Sequence, residues 1–281
     1  MLEVLLPLFV FGIGLCVGSF VNVQIFRFGF GERARARSCC MACDHPISWY
    51  DLIPIFSYVA LSGRCRTCGS ALSTQYPLIE GIVGLLFLVA FFIMPPALSL
   101  WSILAFTMLL VFIASLVALV VYDIRHTLVP MPFIYMLVGS ALLASISQSL
   151  FSNSFFPLID SLVGGAILFG GFFSIVLVTR GRGMGVGDAY VVGAAGLLLG
   201  LFRGIESVMF GVWSATIVYL IVFLLSSIHS KKRLLPHGAR VTMKTELPFV
   251  PFLAFGIGLA LFTTLSPLSL GSWLANILWF Q

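Results

Sequence analysis

Residues 98–122 read Leu98-Ser-Leu-Trp-Ser-Ile-Leu-Ala-Phe-Thr-Met-Leu-Leu-Val-Phe-Ile-Ala-Ser-Leu-Val-Ala-Leu-Val-Val-Tyr122, and the run stops on Asp123-Ile124-Arg125-His126. Its 25 residues carry no charged side chain. As a helix rising about 1.5 Å per residue, a run of this length crosses a hydrocarbon core of about 30 Å. The stretch therefore reads as a transmembrane helix with a carboxylate at its end. Comparable windows lie at 4–26, 78–94, 131–151, 158–178, 186–202, 205–228 and 249–265. Together they predict an all-α polytopic membrane protein of about eight transmembrane helices. A weaker apolar tail at 267–280 is left open as a ninth short span, a re-entrant piece or the upper part of a long eighth helix.

Composition agrees. Apolar residues make up 60% of the 281, Phe alone contributes 27, and only 9% are charged, far more apolar surface than a soluble core can hide. Long uninterrupted runs indicate helices, whereas a transmembrane barrel shows short alternating segments. The start, Met1-Leu2-Glu3, has no basic n-region and no small-residue cleavage pattern, so the first span reads as retained. A net charge of +5 would hint at nucleic acid in a soluble domain. Here it follows topology, and no nucleic-acid partner is expected. With the N-terminus outside, one side receives Arg27, Arg33, Arg35, Arg37, Arg64, Arg66, Arg125, Arg180, Arg182, Lys231, Lys232, Arg233, Arg240 and Lys244, and the other only Arg203. The positive-inside rule makes the first side cytoplasmic.

This topology brings two acids out on the same side. Asp123 ends the third span, and Asp188 opens the sixth within Gly183-Met-Gly185-Val-Gly187-Asp188. A carboxylate at the end of a span is costly to desolvate and generally does chemistry or lines a polar cavity. Two carboxylates a few ångströms apart cannot both ionise cheaply, so one would hold a proton as acid while the other activates water. Gly183, Gly185 and Gly187 would let the backbone unwind and approach a substrate strand, with Arg180 and Arg182 hydrated beside it. The bland reading is that each Asp ends its helix in interfacial water.

The loop between the first two spans carries Cys40-Met41-Ala-Cys43 and Cys65-Arg66-Thr-Cys68, two Cys-x-x-Cys knuckles with 21 residues between them. Four thiolates at about 2.3 Å complete the closed tetrahedral shell of a structural Zn²⁺. A loop too small to bury much core is expected to need such a staple. Disulfides compete with this reading, but a cytoplasmic loop is kept reduced. The expected element is a small zinc-ribbon-like loop domain, with Cys39 a spare thiol and Cys16 a small apolar residue in the first span.

At this point the chain resembles the type IV prepilin leader peptidases, the bifunctional aspartic proteases and N-methyltransferases of pilus and type II secretion systems. The similarity runs through Gly14-x-x-x-Gly18-Ser-Phe-Val-Asn22-Val and Arg27, and through Ile47-Ser-Trp49-Tyr50-Asp51-Leu52-Ile-Pro54. It continues with Gly63-Arg64-Cys65-Arg66-x-Cys68, Tyr76-Pro-Leu-Ile-Glu80, Asp123 with Pro130, Gly185-x-Gly187-Asp188 and Leu247-Pro248-Phe249-x-Pro251-Phe252. Three positions depart from the family's habit: Met41 replaces Pro, Leu52 replaces Asn, and Tyr190 stands where Lys is common, removing a positive charge beside the second aspartate.

The resemblance implies a division into a first transmembrane helix (1–26), a cytoplasmic Cys-knuckle loop associated with methyl transfer (27–77) and a transmembrane aspartic peptidase domain (78–281). It implies Asp123 and Asp188 as the catalytic pair and Cys40, Cys43, Cys65 and Cys68 as metal ligands. The substrate would be a prepilin or pseudopilin with a basic leader, a Gly before the scissile bond and a hydrophobic helix in the bilayer. The new N-terminal amine would then be methylated from S-adenosylmethionine. The expected location is the bacterial inner membrane, with the active site facing the cytoplasm. Glu80 is a candidate for binding that amine, or a helix-start charge. Asn22 and Gln24 polarise a groove or bond a neighbouring helix. Arg33, Arg35 and Arg37 read as a lipid-headgroup anchor, and His126 as an interfacial residue. Two other classes compete. A presenilin-like intramembrane protease shares the Tyr-Asp and Gly-x-Gly-Asp pattern but has no use for the knuckles. A non-enzymatic scaffold or proton-relaying transporter would favour acids deeper in their spans.

Overall fold

The computed structural model describes residues 2–27, 38–40, 42–181, 184–228 and 248–263. Among these the chain forms α1 (Leu2–Arg27), a 3₁₀ turn (Trp49–Leu52), α2 (Phe56–Ala60), α3 (Gln75–Ile93), α4 (Leu100–His126), α5 (Met131–Ser152), α6 (Phe156–Thr179), α7 (Val186–Leu199), α8 (Leu201–Ile228) and α9 (Val250–Phe262). Extended pairing among the described residues is limited to isolated bridges at Cys39–Pro46 and Arg64–Ala71. Six helices, α1, α3, α4, α5, α6 and α8, are long and apolar enough to cross a bilayer, and the chain is a multi-pass membrane protein. The two remaining apolar windows form helices of 14 residues (α7) and 13 residues (α9), shorter than their windows. Gly200 explains the first: at φ +78° it ends α7, and Leu201 starts α8 at once. The Leu201 N–H is accepted by the Asp160 carboxylate at 3.3 Å, which caps α8 in place of a connecting loop. The tail at 267–280 lies outside the described residues. So do Arg33, Arg35, Arg37, Met41, Arg182, Gly183, Lys231, Lys232, Arg233, Arg240, Lys244 and Leu247.

The chain divides into two compact units, 1–118 and 119–281, with the division inside α4. In the first, α1 and α3 pack side by side in opposite directions. A Cβ on Gly14 would lie 2.7 Å from the Cα of Gly84, and one on Gly18 would lie 2.7 Å from the Cα of Glu80. Four residues on, the fully buried Asn22 donates to the Tyr76 carbonyl (3.2 Å) and accepts from the Gln75 amide (3.3 Å). The small residues let the backbones touch where lipid gives no hydrophobic drive to association, and the amide supplies the polar bond.

In the second unit α7 packs against α5, α6, α8 and α9. Its Gly193, Ala194, Ala195 and Gly196 are buried, and a Cβ on Gly196 would lie 2.6 Å from the backbone of Gly164 on α6. From α5, the Ser145 hydroxyl donates to the Leu197 carbonyl at 2.6 Å. A helix whose middle, residues 193–196, carries almost no side-chain volume is one that several others can approach closely. Its N-terminus, which carries Asp188, is fixed by that packing.

Candidate functional site

Asp123 sits in the last turn of α4, 5% exposed. Its carbonyl accepts the Thr127 N–H at 2.8 Å, and Thr127 at φ +50° turns the chain out of the helix. One carboxylate oxygen accepts the backbone N–H of Val250, at the start of α9, at 3.1 Å. The N-terminus of one helix thus holds the acid that ends another, an arrangement favoured by the positive end of the α9 dipole.

Asp188 lies in the first turn of α7 and is half-buried. Its carboxylate accepts the Gly185 N–H at 3.2 Å, the N3 half of a capping box, while its own N–H bonds back to the Gly185 carbonyl at 3.2 Å in place of the side chain that glycine lacks. Between them, Gly187 is bare for a steric reason. A Cβ there would meet the Val129 side chain at 2.6 Å, so the first turn of α7 presses on the segment that joins α4 to α5. Asp123 and Asp188 lie within electrostatic reach of each other.

A third polar group shares this place. Tyr219 of α8 is half-buried and lies within electrostatic reach of both carboxylates. Its hydroxyl donates to the Pro248 carbonyl at 3.4 Å, and its ring stands edge-on to Phe252 at 5.4 Å. Neither Tyr219 nor the Val250 amide follows from spacing or motif, because a lone tyrosine within an apolar span does not show what it faces. Tyr190 points elsewhere: its ring packs on Phe169 of α6 at 5.1 Å. His126 is exposed, with its ring 4.6 Å from that of Tyr122.

In the first unit the sulfurs of Cys40, Cys43, Cys65 and Cys68 all lie within 4.8 Å of one another. The two knuckles share one backbone pattern. Cys40 N–H bonds to the His45 carbonyl and Asp44 N–H to the Cys40 carbonyl; Cys65 N–H bonds to the Ser70 carbonyl and Gly69 N–H to the Cys65 carbonyl. Asp44 and Gly69 occupy equivalent positions with φ +58° and +70°. Cys40 and Cys68 are 3.9 Å apart, too far for a disulfide and close to the roughly 3.8 Å edge of a tetrahedron with 2.3 Å metal–sulfur bonds. The four residues fit a metal ion. The Ala42 backbone N–H and the Ser70 hydroxyl bring the Cys40 thiol down to about 6. The Ser70 hydroxyl and then its backbone N–H also lower Cys68. At Cys43 a backbone contact at His45 favours the thiolate, yet desolvation and the neighbouring thiols push it up to about 12. Thiols crowded in this way await a cation to neutralise them. Beside them Arg66 pairs with Asp51 at 2.7 Å and stacks over Tyr50, holding the Asp51 carboxyl below its ordinary range.

Glu80 is 5% exposed, and its carboxylate accepts the backbone N–H of Ile55 at 2.8 Å. It also accepts a hydrogen bond from the Ser19 side chain, so it ties the loop backbone to α1. Asn22 bonds the neighbouring helix, as described above.

The sequence matches two family models, described as "Bacterial Peptidase A24 N-terminal domain" over residues 13–94 and "Type IV leader peptidase family" over residues 110–262. Among similar proteins is a prepilin leader peptidase/N-methyltransferase of Myxococcus xanthus, 34% identical over 69% of this chain and 56% of its own length. A protein of the same name from Aeromonas salmonicida is 30% identical over 90% of this chain and 89% of its own. The type 4 prepilin-like proteins leader peptide-processing enzyme of Escherichia coli is 31% identical over 66% of this chain and 74% of its own. No solved structure matches the chain. With one family model spanning more than half of it and relatives aligned along almost its whole length, the chain belongs to the type IV leader peptidase family.

Proposed function

We propose that the chain is a membrane aspartic endopeptidase that removes the basic leader of prepilins or pseudopilins after a glycine, and that it N-methylates the new N-terminal residue. The observation that carries the peptidase reading is the constellation of Asp123 and Asp188. Two acids 65 residues apart in sequence (188 − 123) lie in one unit, each with one carboxylate oxygen held by a backbone N–H, at 3.1 Å and 3.2 Å. The Phe249 backbone bonds the Asp123 carboxylate as well.

In this reading the pair binds one proton between them and titrates as a unit. The ionised carboxylate takes a proton from water as the water oxygen adds to the scissile glycine carbonyl. The protonated partner donates to the developing oxyanion. Collapse breaks the C–N bond, and the leaving amine carries off a proton from the pair. The Tyr219 hydroxyl, bonded to the Pro248 carbonyl in this structure, is a neutral donor at the site among the described residues and would turn to support the oxyanion.

Cys40, Cys43, Cys65 and Cys68 would hold a zinc ion with their four thiolates, and such a closed shell would fasten the loop and leave no position for reactive water. The 27–77 segment serves methyl transfer, and 78–281 carries the peptidase. The methyltransferase name of the relatives implies S-adenosylmethionine as donor. The described loop residues offer it no glycine-rich turn leading into a long helix. The charge asymmetry of the loops supports a bacterial inner membrane location with Asp123 and Asp188 towards the cytoplasm, the side on which a basic leader stays.

The test is incubation of the protein in lipid vesicles with a prepilin and S-adenosylmethionine, followed by intact mass analysis. Leader loss with a methylated product is expected. An intact prepilin would overturn the peptidase reading, and an unmethylated product would remove the second activity alone.

A further inference from the structure

Glu80 and Ile55 place the soluble loop unusually deep. Residues 54–56 form a γ-turn: Ile55 has φ +60° and ψ −50°, and Phe56 N–H bonds to the Pro54 carbonyl at 2.6 Å. A β-branched residue rarely adopts this conformation and holds it only where its surroundings over-determine it. Here they do. The Ile55 N–H is held by the buried Glu80 carboxylate at 2.8 Å, and the Ile55 side chain reaches to within 3.9 Å of where a Cβ on Gly81 would lie.

The level of that contact follows from the α1–α3 packing. Glu80 lies against Gly18, and the apolar part of α1 runs on to Ile25. Seven further residues at 1.5 Å put the Glu80 backbone about 10 Å below the end of the apolar stretch, with the γ-turn one side-chain length from it. Counted along α3, which starts at Gln75, Glu80 is about 7.5 Å inside the helix. Both counts bring residues 54–56 to the level of the acyl chains or the headgroup boundary. Backbone at that depth must have its polar groups satisfied from within the protein, which accounts for the Glu80 carboxylate, also bonded to Ser19, holding the Ile55 amide.

The side chains around the turn suit the same surroundings. Trp49 is 78% exposed, Phe56 71% and Val59 69%, with Leu52 and Ile53 also exposed. Phe56 and Val59 share one face of α2, and Trp49 and Leu52 one face of the 3₁₀ turn. The polar side is occupied separately by the Asp51–Arg66 pair. A patch of this size facing water would be an aggregation hazard. At the depth set by Glu80 it faces lipid, where Trp and large apolar side chains are favoured.

We infer that residues 49–60 form a re-entrant interfacial element that dips into the same bilayer the helices span, with Trp49, Leu52, Ile53, Phe56 and Val59 in contact with lipid and Glu80 fastening its lowest point. The knuckle domain is then held against the membrane surface and does not hang free in the cytoplasm. The inference depends on membrane insertion and on the α1–α3 packing, and stands whether or not the peptidase reading does.

The full-length protein is placed in vesicles of phosphatidylethanolamine and phosphatidylglycerol, with photoreactive benzoylphenylalanine introduced in place of Phe56 in one sample and in place of Thr67, exposed in the second knuckle, in another. Irradiation is expected to give phospholipid adducts at 56 well in excess of those at 67. Absence of lipid adduct at 56, equal adduct at both sites, or capture of added prepilin or of a second copy in place of lipid would overturn the inference. A second measurement needs no photoprobe. The fluorescence lost on Trp49→Phe is the Trp49 signal, and vesicle lipids brominated on the acyl chains are expected to quench it while aqueous acrylamide leaves it largely intact. The reverse pattern would contradict the proposal.

Discussion

Gly187 and Gly185 stand two residues apart beside the same aspartate, yet they differ in what a methyl group would meet. At Gly187 it meets the Val129 side chain at 2.6 Å; at Gly185 the nearest atom is an Asp188 carboxylate oxygen at 3.5 Å, an ordinary contact. Gly187→Ala is therefore expected to cost about 1–3 kcal/mol of overpacking and to move Asp188, so that cleavage drops sharply. Gly185→Ala should leave most activity. Comparing the two by leader cleavage and thermal unfolding at equal abundance checks this order, and equal losses would contradict it. Tyr219→Phe removes a hydroxyl and almost no volume. If the hydroxyl supports the oxyanion, kcat should fall about a hundredfold with KM nearly unchanged. A rise in KM alone would make it a packing residue. The two aspartates are legible in the sequence because a carboxylate ending an apolar run is expensive and so conspicuous. Tyr219 and the Val250 amide are not, since nothing in local spacing reports which backbone or hydroxyl folds back onto Asp123.

At the scale of elements, the two knuckles declare themselves by spacing alone, and the fold adds that they are near-copies, with Asp44 and Gly69 in matching left-handed positions. Cys65→Ser should abolish bound zinc, measured by elemental analysis of the purified protein. It should loosen the loop and impair methylation while leaving leader cleavage largely intact. Retained zinc with one thiolate missing would contradict a closed four-sulfur site. Gly14 and Gly18 were visible as part of a motif, but their partners Gly84 and Glu80 were not, because a helix sequence shows its small face without showing what lies against it. Gly18→Leu should separate α1 from α3, where a Cβ already sits 2.7 Å from the Glu80 Cα, and should lower thermal stability more than the same change at Gly12, which has open space around it. The length of α7 escaped the hydropathy window, which smooths over the break that Gly200 makes.

For the whole molecule, apolar content located the membrane helices, since the bilayer imposes a length on every crossing: six of the eight windows form helices long enough to cross and two form shorter ones, while loop charge gives only the expected side. Neither could say that α7 packs among four other helices, because that depends on the small volume of Gly193, Ala194, Ala195 and Gly196 matched to surfaces far away in sequence. A paired-carboxylate mechanism further predicts that cleavage rate falls on both the acid and the alkaline side, as the pair gains a second proton or loses its only one. A rate that rises monotonically with pH would point to a single base. The most direct test of the central claim is leader cleavage of a prepilin in membranes by the unaltered protein, Asp123→Asn and Asp188→Asn, each inserted at equal abundance. Loss of the cleaved product in both variants is the predicted result, and full cleavage by either would show that the pair is not the catalytic unit.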